Sequence, residues 1–293
     1  YSPSSRLFLN AMYLDVEAVE DFRECTEARE LARSADFATR LAQLRDTELV
    51  DYPGVAAAKR AVLELLYASF RRRHLDAPEE TTRAAAFRAF QARRGEALRR
   101  HALFDALQER FSRADPHCWG WPVWPEAYRH PSLPAVQAYA EEARERVELF
   151  EYLQWLVDLQ LGAAGRRSQD LGLGVGIYQD LAVSVDRGGA EVWSNQDLYA
   201  TASVGAPPDD FALGGQDWGL PPYVPERLRE AGYAPFIDML RANMQHSGAL
   251  RIDHVMGLAR LFWVPPHGKA ADGADVRYPF DDLLGSVAME SHR

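Results

Sequence analysis

The stretch "GALRIDHVMGLARLFWVP", Gly248 to Pro265, ends a short apolar run, Ala249 to Ile252, on an arginine, an aspartate and a histidine. Side chains two apart on a strand point to the same face. Arg251 is therefore set to hold Asp253 ionised at neutral pH and to orient it through a charge-assisted hydrogen bond. An oriented, ionised carboxylate is a nucleophile in waiting. Asp180 follows "GIYQ" in a similar way. Where parallel strands alternate with helices, the groups that do chemistry stand at the C-terminal strand ends, where loops form the pocket. A structural Arg–Asp pair at a sheet rim has the same residues at the same spacing, and the strand by itself leaves both readings open.

A second group lies in "SVGAPPDDFALGGQDWGLPPYVP", Ser203 to Pro225, which reads as a long Gly/Pro-rich loop of the kind that carries function when ordered. Asp209, Gln216 and Trp218, with Tyr223 nearby, offer hydrogen-bonding groups and a flat aromatic face. A sugar ring needs that combination, because its polar edges are matched and its apolar face is stacked. Trp119, Trp121 and Trp124 sit in the proline-rich "DPHCWGWPVWPEAYRHPSLP" and are assigned to packing. "GLGVGIY" spaces Gly172, Gly174 and Gly176 at alternate positions, but an apolar strand follows, whereas a dinucleotide fingerprint needs a helix N-terminus there. There is no Walker lysine loop, HExxH or CxxC pair, and the eight histidines form no visible metal-ligand cluster. No cofactor and no metal are expected.

These residues must be positioned by elements legible at coarse scale. From about residue 17 to 115 the chain is rich in Ala, Leu, Glu and Arg, and Val55, Val62, Leu65, Leu66 and Phe70 fall at helical spacing. Residues 135 to 161 read as one long amphipathic helix. Thereafter "LGVGIYQDLAVSV" reads as a strand, "GYAPFIDMLRANMQHSG" as a helix, "ALRIDHV" as a strand and "DDLLGSVAMESHR" as a helix. Such alternation implies an α/β fold with parallel pairing and right-handed crossovers.

The 293 residues suffice for one barrel-sized domain or two smaller ones. A net charge of −10 argues against a general nucleic-acid binder and leaves a neutral or small substrate. The two cysteines, Cys25 and Cys118, stand far apart and imply no disulfide framework, so a reducing, cytoplasmic setting is expected. No apolar run approaches the roughly 20 residues a membrane span needs.

With these residues in place, the sequence resembles the 4-alpha-glucanotransferases of the amylomaltase type, relatives of the alpha-amylase barrel enzymes. "YSPSSRLFLN", "GIYQDLAV", "AEVW", "GAPPDDFALGGQDWGLPPY", "LRANMQHSGALRIDHVMGL" and "VRYPFDDLLGSVAMESHR" carry the likeness nearly end to end. The resemblance implies an incomplete (β/α)8 TIM-type barrel, with segments at 1–16 and 161–293 and a mostly helical inserted subdomain over 17–160. It implies transfer of alpha-1,4-glucan segments between maltooligosaccharide or starch-derived donors and acceptors by a retaining double displacement, without a cofactor, nucleic acid or membrane. Asp253 matches the family's nucleophile and Arg251 its support. His254 lies beside the donor sugar; Asp209, Gln216 and Trp218 match substrate-binding positions, Tyr1 a tyrosine that packs on the sugar, and Asp180 a further substrate-side position. The family's acid/base glutamate, in a "GED" strand, has no counterpart in this sequence, and Glu290 does not match it. The chain as given is therefore expected to be an inactive fragment. Its rivals are a glucan-binding fragment without turnover and an alpha-glucan hydrolase of the same clan.

Overall fold

The computed structural model describes residues 2–292. They fold as two compact units, one comprising Leu9–Ala102 and Ala143–Leu161, the other the residues up to Phe8, Leu103–Glu142 and those from Gly162 onward. The first boundary falls at 8/9 against the expected 16/17 and the last at 161/162 against 160/161, and residues 103–142, expected within the helical insertion, group with the unit that holds the strands.

The first unit is helical. It contains α1 (Thr26–Arg33), α2 (Ala35–Arg45), α3 (Tyr52–Phe70) and the larger parts of α4 (Thr82–Ala114) and α6 (Arg144–Asp170). The apolar spacing read in the sequence becomes the inner face of α3, where Val62, Leu66 and Phe70 are buried. Phe70 meets Phe87 edge-on at 5.6 Å and Tyr152 at 4.9 Å. Beside these rings the buried Asp21 accepts from Arg83 Nη2 at 2.5 Å and from the Tyr152 hydroxyl at 2.7 Å, so its charge is matched inside the core. The single helix expected over 135–161 is two, α5 (Pro134–Glu142) and α6, interrupted at Ala143.

The second unit carries the strands. β1 (Tyr178–Leu181) pairs parallel with β4 (Ala249–Ile252) in a register that sets Asp180 opposite Arg251. α9 (Ala234–Met244) lies against both strands, and its Phe236, Met239 and Leu240 are buried at the i, i+3, i+4 spacing of an amphipathic helix. α10 (Phe280–Ser291) packs on α9, and Arg241 forks onto both oxygens of Glu290 at 2.9 and 2.8 Å. Glu290 thus joins α10 to α9. At the start of β4, Gly248 donates to the Ile177 carbonyl at 2.9 Å. A Cβ there would lie 1.5 Å from the Val175 carbonyl oxygen, so only glycine lets the two strands approach.

The expected loop at 203–225 is largely sheet. β2 (Ser203–Ala206) and β3 (Gln216–Leu220) form an antiparallel pair joined by residues 207–215, and β5 (Arg260–Val264) and β6 (Ala274–Arg277) extend it to a four-stranded sheet in the order β3-β2-β5-β6. The sequence missed these strands because each has only four or five residues and several show no clean alternation of buried and exposed positions. Gly205 is required in this hairpin: a Cβ would fall 2.1 Å from the Gln216 carbonyl oxygen. Short helices α7 (Ala190–Ser194) and α8 (Pro225–Glu230) flank the sheet connections. Trp124 packs wholly inside, against Phe104, Phe111 and Trp193, and Trp121 donates to the Arg187 carbonyl, whereas Trp119 is 58% exposed. Among the described residues no helix is long and apolar enough to cross a membrane.

Candidate active site

Three expected residues meet at the ends of β1 and β4. Arg251 Nη1 lies 2.7 Å from each oxygen of Asp180, and its Nη2 donates to Asp253 Oδ1 at 2.8 Å. The second contact follows from the two-residue spacing; the first follows from the β1–β4 register, which no local pattern in the sequence specifies. The two carboxylates raise the Arg251 pKa further above its ordinary value, the Asp180 hydrogen bond contributing most. The Asp253 side chain is 31% exposed, so it is reachable by a substrate while its backbone N–H is fixed to the Leu181 carbonyl at 3.4 Å.

A second cluster stands beside the first. Gln216 and Trp218 share a face of β3, and Trp218 Nε1 donates to Gln216 Oε1 at 2.9 Å. The Trp218 ring meets His254 at 5.1 Å between centroids, nearly perpendicular at 86°. His254 follows Asp253 directly and holds a left-handed backbone, φ 51°, which is uncommon outside glycine and turns the chain out of β4 into a short 3-10 turn. Burial lowers its pKa, with the Asp253 charge opposing, so the imidazole is inclined to the neutral form.

Asp209 is placed otherwise. Its Oδ1 accepts from the backbone N–H groups of Phe211 and Ala212 at 2.9 and 2.6 Å, shaping the 207–215 connection. Tyr1 lies outside the described residues. Tyr223 is no open aromatic face: it stacks on Tyr199 at 4.8 Å and donates its hydroxyl to Glu191 at 3.1 Å. That contact belongs to a buried network around Arg6 and Glu191 that the sequence reading missed entirely, its members being 185 residues apart. A cavity of about 70 Å³ is lined by residues that include Arg6, Val183, Tyr223, Asp253 and His254. Among the described residues no group of three or more His, Cys, Asp or Glu is arranged to hold a metal ion.

An Arg-bridged pair of carboxylates thus stands beside a Trp–His corner. The family model described as 4-alpha-glucanotransferase matches residues 1–293. A 4-alpha-glucanotransferase from Haemophilus influenzae is 43% identical over 297 positions, covering 100% of this chain and 42% of the relative, and one from Mycobacterium bovis is 37% identical over 294 positions, covering 100% and 38%. The crystal structure of an amylomaltase from Corynebacterium glutamicum superposes with a TM-score of 0.80 at 34% identity, over 99% of this chain and 38% of that one. An amylomaltase from Streptococcus agalactiae, solved with acarbose, shares the fold with a TM-score of 0.80 at 23% identity. This chain spans well under half the length of the curated relatives, and over that span it belongs to the 4-alpha-glucanotransferase family.

Proposed function

We propose that this chain contributes the nucleophile and donor-binding groups of an enzyme that moves alpha-1,4-glucan segments between maltooligosaccharides with retention of configuration, and that β1, β4 and their helices are part of a (β/α)8 barrel. The observation that carries this reading is the Arg251 bridge between Asp180 and Asp253. It holds one oxygen of Asp253 through a charge-assisted hydrogen bond and aims the carboxylate.

In the first half-reaction an Asp253 oxygen attacks the anomeric carbon of the donor. The glycosidic C–O bond breaks and the leaving oxygen takes a proton from a general acid, giving a glycosyl ester on Asp253. In the second, an acceptor sugar hydroxyl attacks the same carbon, its proton returns to that group, and Asp253 leaves as carboxylate. Retention requires the two carboxyl groups to stand about 5 to 5.5 Å apart. The resemblance assigns no residue of this sequence to the acid/base, a role typically worth 10² to 10⁴-fold. Trp218 supplies the face on which the donor ring stacks, with His254 edge-on beside it; Gln216 and Asp180 offer hydrogen bonds to the sugar hydroxyls, Asp209 shapes the connection over it, and Tyr1 is assigned to the same sugar. No cofactor takes part.

The test is to incubate the protein with maltotriose and separate products by size, alone and with Asp253→Asn. Glucose plus a ladder of longer oligosaccharides, lost on the order of 10⁴-fold or more in the variant, is the expected result where the acid/base is supplied. Glucose and maltose without longer products would mean hydrolysis, and a ladder surviving Asp253→Asn would remove Asp253 from the nucleophile role.

A further inference from the structure

Arg6 and Glu191 form a salt bridge at 3.0 Å with side chains only 5% and 4% exposed. Placing a full ion pair in an interior is costly, and well-packed apolar residues often stabilise a fold better. What the pair supplies instead is direction. Arg6 Nη1 donates to the Val183 carbonyl at 3.2 Å, just beyond β1 and Asp180. Its Nη2 donates to Glu191 at 3.0 Å and lies 3.2 Å from the Tyr199 hydroxyl, and the guanidinium sits 5.0 Å over the Tyr223 ring, on the segment that follows β3 and Trp218. The Arg6 backbone carbonyl accepts from Asn243 Nδ2 at 2.9 Å on α9, the helix that leads into β4 and Asp253. Glu191 fixes Arg6 in turn: Oε2 accepts from the Arg6 backbone N–H at 2.6 Å, and Oε1 accepts from the Tyr199 hydroxyl at 2.5 Å and the Tyr223 hydroxyl at 3.1 Å.

We infer that Arg6, locked by Glu191, is a positioning residue that holds the segments bearing Asp180, Trp218 and Asp253 in mutual register around the cavity it lines. What the site does rests on the glucan-transfer reading above; how its parts are held does not. Both groups are charged in the fold. Burial opposes the charge on Glu191, but the Arg6 charge and the hydrogen bonds from Tyr199 and Arg6 outweigh it and hold its pKa below the ordinary carboxylate value.

Arg6→Lys separates this role from mere charge balance. A lysine keeps the positive charge beside Glu191, yet a point charge cannot also reach Val183 and Tyr199 or lay a planar face on Tyr223. Amide hydrogen exchange on the full chain, at a temperature where circular dichroism shows R6K folded, should rise about tenfold or more together in residues 181–184 and 216–224, with α5 unchanged. A rise confined to residues 3–6 and 186–191, or none, overturns the inference. Should R6K not fold, Tyr199→Phe, which removes one hydroxyl from the network, must raise exchange at 181–184 and 216–224 or the inference falls. In protein that transfers glucan, R6K, assayed at a temperature where it is folded, should also raise KM for maltotriose about tenfold with kcat changed less. If unaltered protein neither binds nor transfers maltotriose, the glucan reading fails while the exchange result still decides the positioning role.

Discussion

Arg251 has one guanidinium and two carboxylates to satisfy, and its planar fork does both, reaching Asp180 with Nη1 and Asp253 with Nη2. A lysine ammonium of similar reach is a point charge and can favour only one. Arg251→Lys should therefore keep the fold, because all three side chains are substantially exposed, and lower kcat/KM for maltotriose about ten- to a hundredfold, the scale of a hydrogen bond to a charged group. The measurement is a rate comparison in protein that transfers glucan. An unchanged rate would return the Arg–Asp contact to a structural pair at a sheet rim. The Trp218–His254 corner depends on backbone as much as on side chains: the left-handed turn at His254 presents its ring to Trp218.

At the scale of elements, the site is a meeting of one parallel pair and one antiparallel hairpin. The parallel pair was legible, since "GIYQD" and "ALRID" both end on carboxylates and a helix with clear 3.6-residue periodicity leads into the second. So was the Arg251–Asp253 contact, which needs only the period of a strand. The Asp180–Arg251 contact was not, because it depends on the register of strands some seventy positions apart, nor was the Arg6–Glu191 pair, which no window of sequence contains. The hairpin was read as loop because glycine and proline punctuate strands too short to show alternation. The closeness of β1 and β4 rests on Gly248. Gly248→Ala places a Cβ 1.5 Å from the Val175 carbonyl oxygen, so the strands must part at that end. The expected cost is about 1–3 kcal/mol, as for other overpacked sites. Denaturation should read the loss, and faster amide exchange at residues 177–181 should locate it. Full stability in that variant would mean that the approach of the two strands can relax at no cost.

For the strand-bearing unit as a whole, the Arg6–Glu191 network joins residues near the N-terminus to α7, the segment after β3 and α9, so its loss should be felt across the unit and not at one turn. Glu191→Gln leaves Arg6 buried without its counter-charge, which should cost about 3–5 kcal/mol at pH 7. The pH dependence identifies the charge as the source. Because the folded-state pKa of Glu191 is held below its ordinary value of 4.5, the unfolded chain takes up the proton first as the pH falls. The carboxylate's contribution is therefore complete above 4.5 and is lost as the pH drops through the folded-state value. Glutamine does not titrate, so the stability gap between the parent protein and the variant should be wide at pH 7 and narrow progressively below pH 4.5. Urea denaturation across that range measures it. A gap that stays constant would assign the loss to packing and hydrogen bonding, and the buried pair would then have no electrostatic part in holding the unit together.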